Sequence, residues 1–225
     1  MKGILYGIGV GPGDPELITL KAVRLIKETG YIAIPARDKE SCTSYQIARQ
    51  VVPALEDKNI LCLPMPMTKD ECLLRESHQK AAKMVEEVLN RGENLCFLTL
   101  GDPCIYSTYF YVARLVCAHG FSCEIISGIP SFCAAAAALH KNLGEQGEPI
   151  TILPGSYDIT SFLENPGTKI MMKSGKQLSF VKAALKEHGL TASMVENCGM
   201  ENEKQYASLE DIPEQAGYYS LIIAK

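Results

Sequence analysis

The sequence predicts an α/β fold built as two α/β domains, the first with a mainly parallel sheet and the second with a mixed one. Three observations carry that expectation. Short apolar runs alternate with helically spaced segments through the first 140 residues. The pattern breaks at HKNLGEQGE, residues 140–148, which is polar, holds two glycines and has no period. Beyond it strands resume, and the chain closes on a segment of different character. Domains are therefore expected at 1–142 and 148–225, with a linker at about 143–147.

Within the first domain, GILYGIGV, GYIAIPA, NILCLPM, NLCFLTL and SCEIIS are short, apolar and bounded by Gly, Pro or polar residues, as buried parallel strands are. Between them, Ala81, Met84, Val85, Val88 and Leu89 recur at helical intervals, and YFYVARLVCAHG ends on a glycine suited to a helix C-terminus. The alanine run 134–138 is expected to let a helix pack closely on a sheet. In the second domain PITILP, TKIMMKS and ASMVEN read as strands and LSFVKAALKEHG as a helix. The end, EKQYASLEDIPEQAGYYSLIIAK, predicts two strands joined by a short loop.

Composition excludes several classes of function. A net charge of −4 over 225 residues gives no global attraction to nucleic acid or to an anionic membrane. No apolar run approaches the ~20 residues of a membrane span. The opening MKGILYGIGVGPG lacks a long apolar core and a cleavage site, so a cytoplasmic protein is expected. Nine cysteines lie no closer than six residues apart, so no metal knuckle or redox pair is spelled out, and free thiols are expected. The four histidines are scattered; no metal site is expected.

GVGPGDPELITLKA, residues 9–22, follows the first strand and raises the question of a ligand. Its glycines miss the dinucleotide spacing, and the loop ends Gly13-Asp14-Pro15 where a P-loop needs Gly-Lys-Ser/Thr. Asp14 suits an N-cap, Pro15 the first helical position and Glu16 the first turn. Those carboxylates oppose a phosphate, so a neutral or cationic ligand is favoured over a nucleotide. A plain tight turn is the alternative. Two further strands end alike, in LGDPCIYST and SGIPSF. Ligands of open α/β sheets bind outside the carboxyl ends of strands, so three such loops together point to one site.

GIGVGPGDPELITLKA, LGDPCIYST, SGIPSF and the later IMMKSGK fall in order along nearly the whole chain and resemble the tetrapyrrole (corrin and porphyrin) methyltransferases. The opening loop, the IYSTYFY continuation and the MK near residue 172 look most like the branch acting on C20 of precorrin-2 or cobalt-factor II. The resemblance implies a homodimer of two-domain α/β subunits with S-adenosyl-L-methionine in the interdomain cleft. It implies that Pro12, Leu100, Gly101, Asp102, Ile105, Ser131, Phe132 and Met172 contact that co-substrate, with a position near Ala207 as a further partner. Met172 also reads as a core residue. Asp102 and Tyr106 are candidates for polarising the acceptor or taking its proton; capping and packing are their structural alternatives.

The acceptor implied is a tetrapyrrole with eight carboxylates. Arg37 and Lys39, Arg75 and Lys80, and Lys173 and Lys176 are the cations available to it. Relatives acting on uroporphyrinogen III carry an Asp shortly after the second strand. This chain reads YIAIPARDKE there, with Asp38 out of register, which disfavours that acceptor. Other acceptors on the same fold (a later precorrin, diphthine, ribosomal RNA) and a noncatalytic nucleotide-binding regulator are the alternatives.

Overall fold

The structure, a computed structural model, describes residues 2–66, 68, 70–155 and 157–225. Its contacts divide the chain into two units, Met1–Pro130 and Ser131–Lys225.

The first unit carries five strands, β1 (Ile4–Gly9), β2 (Tyr31–Ile34), β3 (Asn59–Cys62), β4 (Leu95–Thr99) and β5 (Ser122–Ile126). All pair in parallel, in the order β3-β2-β4-β1-β5, with Gly9 level with Thr99 and Ile8 with Ile126. Side chains alternate between the faces. Ile8, Ile34, Cys96 and Leu98 join a core with α1 (Leu20–Glu28) and α2 (Thr43–Val51). Leu5, Ala33, Leu95 and Phe97 join a second core with α3 (Glu71–Asn90) and α4 (Tyr109–Ala118). Helices on both faces are what near-continuous apolar strands require.

The helix expected to begin at Asp14 begins later. Asp14 caps only a 3-10 turn, Pro15–Leu17, its carboxylate accepting from the Glu16 amide at 2.8 Å. Ile18, 8% exposed, then turns extended (ψ 132°) to bury its side chain, which interrupts the helix. Thr19 caps α1 instead, accepting from the Ala22 amide at 3.3 Å.

The second unit opens on α5 (Ser131–Ala138) and continues β6 (Ile150–Pro154), α6 (Thr160–Leu163), β7 (Thr168–Met172), α7 (Leu178–Glu187), β8 (Ala192–Glu196), β9 (Lys204–Tyr206) and β10 (Ser220–Ala224). Its sheet runs β6-β7-β10-β8-β9 and is mixed: β6 and β7 are parallel, the other pairs antiparallel. Met171, Met194 and Ile222 pack with Leu178, Val181 and Leu185 of α7.

Two expectations need adjusting. The alanine helix does pack on a sheet, but on β8 and β10 of the second unit, so the contact boundary falls at 130/131 and ahead of the polar 143–147 segment. The two last strands do not pair with each other. Both flank β8, and the connection between them spans residues 207–219, because β10 inserts between β7 and β8 at the centre of the sheet.

The cysteines are free thiols, with Cys42 and Cys96 buried and Cys72 and Cys117 exposed. Burial pushes the Cys96 thiol up to about 11. Native-state alkylation at pH 8, read by peptide mass spectrometry, is expected to modify Cys72 and Cys117 and to spare Cys42 and Cys96 until denaturant is added.

Candidate active site

Outgoing connections from neighbouring strands part company at the centre of the first sheet. β1 leads to α1 on one face, while β4 leads to α4 on the other. Such a switch point leaves a crevice at the carboxyl ends of the two strands. Here the loops above β1 and β4 are clamped by reciprocal backbone bonds. The Gly101 amide donates to the Gly11 carbonyl at 2.7 Å, and the Gly11 amide to the Gly101 carbonyl at 3.3 Å. Both glycines hold positive φ, 80° and 70°, a conformation that costs L side chains more than glycine.

The third loop joins this pair with no side chain between. A Cβ on Gly9 would meet the Gly128 amide nitrogen at 2.5 Å and the Gly101 carbonyl oxygen at 2.7 Å. A Cβ on Gly128 would run into the Gly101 carbonyl oxygen and the Gly9 backbone. Asp102, 8% exposed, fixes the arrangement. One carboxylate oxygen accepts from the Cys104 amide at 2.7 Å and the other from the Gly128 amide at 2.9 Å. The Thr19 hydroxyl reaches the Ser127 carbonyl at 3.5 Å from the opposite loop.

Of the residues singled out in the sequence, Pro12, Leu100, Gly101, Asp102 and Ile105 come together on this edge. Pro12 is buried directly after the Gly11 clamp, and Leu100 is half-buried against the first core. The half-buried Ile105 donates its amide to the Asp102 carbonyl at 3.2 Å. Tyr106 is 49% exposed and has φ 46°, the left-handed region that bulky residues rarely adopt. The remaining four belong to the second unit. Ser131 and Phe132 open α5, half-buried. Met172, 8% exposed, ends β7, its carbonyl accepting from the Gly155 amide at 2.6 Å. Ala207 is exposed just after β9.

Gly9 and Gly128 were not named from the sequence, although the runs GIGVG and SGIP carry them; their role is a backbone contact between loops over a hundred residues apart. Asp102 has both oxygens committed to backbone amides, which makes it a latch between loops. Among the described residues, no group of three or more His, Cys, Asp or Glu is placed to hold a metal. No helix among them is long and apolar enough to cross a membrane.

The loops that meet at this edge, residues 9–16, 100–106 and 127–130, hold no lysine or arginine, which disfavours a phosphate and suits an uncharged or cationic ligand. The model of the Tetrapyrrole (Corrin/Porphyrin) Methylases matches residues 4–213, and the chain belongs to that family. It is 35% identical over 228 residues to a probable cobalt-precorrin-2 C(20)-methyltransferase of Methanocaldococcus jannaschii, covering 98% of this chain and 95% of the relative. It is 29% identical over 237 residues to a precorrin-2 C(20)-methyltransferase of a Sinorhizobium species, covering 98% and 94%. A solved uroporphyrin-III C-methyltransferase of Thermus thermophilus, complexed with S-adenosyl homocysteine, shares the fold with a TM-score of 0.71 at 23% identity, covering 99% and 97%.

Asp102→Ala is expected to lower unfolding stability by about 1–3 kcal/mol, because it orphans the Gly128 and Cys104 amides. Gly128→Ala is expected to cost about 1–3 kcal/mol by overpacking the cradle. Urea unfolding of both variants checks the pair.

Proposed function

We propose that the chain transfers a methyl group from S-adenosyl-L-methionine to C20 of precorrin-2 or its cobalt form, within cobalamin biosynthesis. The observation that carries this reading is the carboxyl edge where the loops of Gly9, Gly101 and Gly128 meet, which hold no lysine or arginine for a phosphate. The names of the relatives supply the acceptor. Bound there, S-adenosyl-L-methionine supplies an electrophilic methyl on a sulfonium. A C–S bond breaks as a C–C bond forms, the electron pair stays on sulfur, and the acceptor carbon then gives up its proton.

The chain's part is positioning, for which ideal orientation offers a ceiling of ~7–11 kcal/mol. Pro12, Leu100, Gly101 and Ile105 present backbone and apolar contacts to the co-substrate, and Asp102 holds their loops in register. From the second unit we assign Ser131, Phe132, Met172 and Ala207 to the same ligand, as the family resemblance implies. Tyr106, exposed on a loop held in an unfavourable backbone conformation, is the better of the two catalytic candidates, since Asp102 is engaged as a latch. The working form we propose is a cytoplasmic homodimer.

Calorimetry is expected to show micromolar binding of S-adenosylhomocysteine and none of NAD or ATP. Incubation with precorrin-2 and with cobalt-factor II is expected to add one methyl, read by mass, to one of them. Absence of adenosyl binding contradicts the reading. Tyr106→Phe is expected to lower kcat by roughly 10²-fold or more if its hydroxyl serves the proton step, and to leave S-adenosylhomocysteine affinity intact.

A further inference from the structure

The same carboxyl edge carries a second feature, at the ends of β2 and β3. A cavity of about 550 Å³ lies there, lined among others by Arg37, Leu63, Leu73, Glu76, Lys80 and Met84. Its size falls within the ~300–1,000 Å³ of small-molecule sites. The cationic residues reach it from separate elements: Arg37 from the connection after β2, Lys80 from α3. Leu73, Glu76, Lys80 and Met84 recur at three- and four-residue steps and share one face of α3.

The charged side chains of the lining, Arg37, Glu76 and Lys80, are solvent-exposed and free of ion pairs among the described residues. Glu76 and Lys80 stand at i and i+4, yet no ion pair joins them among the described residues. Arg37 makes no ion pair among them either; its charge is felt by the neighbouring Asp38 carboxylate, which the Ser41 hydroxyl and amide already hold below its ordinary range. Leu73 is 52% exposed beside these charges. None of the other cations considered for the acceptor, Lys39, Arg75, Lys173 and Lys176, lines this cavity. The Lys39 ammonium donates to the Glu56 carbonyl at 3.5 Å, Arg75 is absent from the lining, and Lys173 lies 5.6 Å over the Tyr218 ring.

We propose that this cavity receives one ring of the acceptor's edge, with its carboxylate arm on Arg37 and Lys80 and its face on Leu63, Leu73 and Met84. Within the lining two cations face the single Glu76 carboxylate, which favours an anionic arm. The cradle above β1 and β4 and the cavity above β2 and β3 then divide the edge between co-substrate and acceptor. This assignment rests on the methylation reading.

Steady-state methylation and S-adenosylhomocysteine calorimetry on the purified full chain test it. Arg37→Gln and Lys80→Gln are each expected to raise the acceptor KM roughly tenfold, with adenosyl affinity held within about twofold. Glu76→Gln is expected to lower the acceptor KM, a direction that mere loss of structure would not produce. Arg37→Lys is expected to recover most of the lost affinity. If the wild type methylates but the Gln variants keep its KM within about twofold, the cavity assignment is overturned while the methylation reading stands. If the wild type methylates neither acceptor, both fall.

Discussion

Three strand ends in the first unit approach so closely that no side chain fits between them. Gly9, Gly101 and Gly128 meet backbone to backbone, and everything else at the carboxyl edge follows from that contact. The approach is possible because β1 and β4 are neighbours whose connections leave to opposite faces, and because β5 lies against β1 on its other side. Asp102 makes the contact durable: with one carboxylate oxygen on its own turn and one on the next loop, it holds the β4 and β5 ends in fixed register. A buried carboxylate so placed offsets its desolvation through charge-assisted hydrogen bonds.

The chemistry of the edge follows from what is missing between the loops. The loops at this edge, residues 9–16, 100–106 and 127–130, hold no lysine or arginine, and the first of them carries Asp14 and Glu16, a composition that disfavours a phosphate. A sulfonium ligand meets no such penalty. Further along the same edge the character changes to Arg37, Lys80 and apolar walls, which suits an acceptor rich in carboxylates. On the proposed reading, one parallel sheet offers two different ligand environments side by side, each set by the strand ends beneath it.

Much of this was legible in the sequence because parallel strands are short apolar runs ended by Gly and Pro. All eight runs proposed as strands up to Glu196 hold strands, and the mixed second sheet was anticipated. Local signals failed where tertiary demands overrode them. Asp14-Pro15-Glu16 has the chemistry of an α-helix start, but burying Ile18 limits it to one 3-10 turn. The alanine run carried no mark of which sheet it would join. The terminal strands are joined by residues 207–219 and not by a short loop, because β10 enters the centre of the sheet, where every residue from Ser220 to Ala224 is buried. At the site, Gly101 and Asp102 were readable from LGDP, but their partnership with Gly9 and Gly128 is a long-range contact. The convergence of Arg37 and Lys80, 43 positions apart, is likewise visible only once β2 and β3 are placed together.

The central claim is that the glycine-lined carboxyl edge of the first sheet binds the methyl donor. Hydrogen exchange of the full chain with and without S-adenosylhomocysteine tests it most directly, because it reads the backbone of each of the three loops separately. The account predicts slowed exchange in peptides covering residues 10–13, 100–106 and 127–132, with no change at the amino ends of β1 and β4. Protection confined to other segments, or none at saturating ligand, would contradict it.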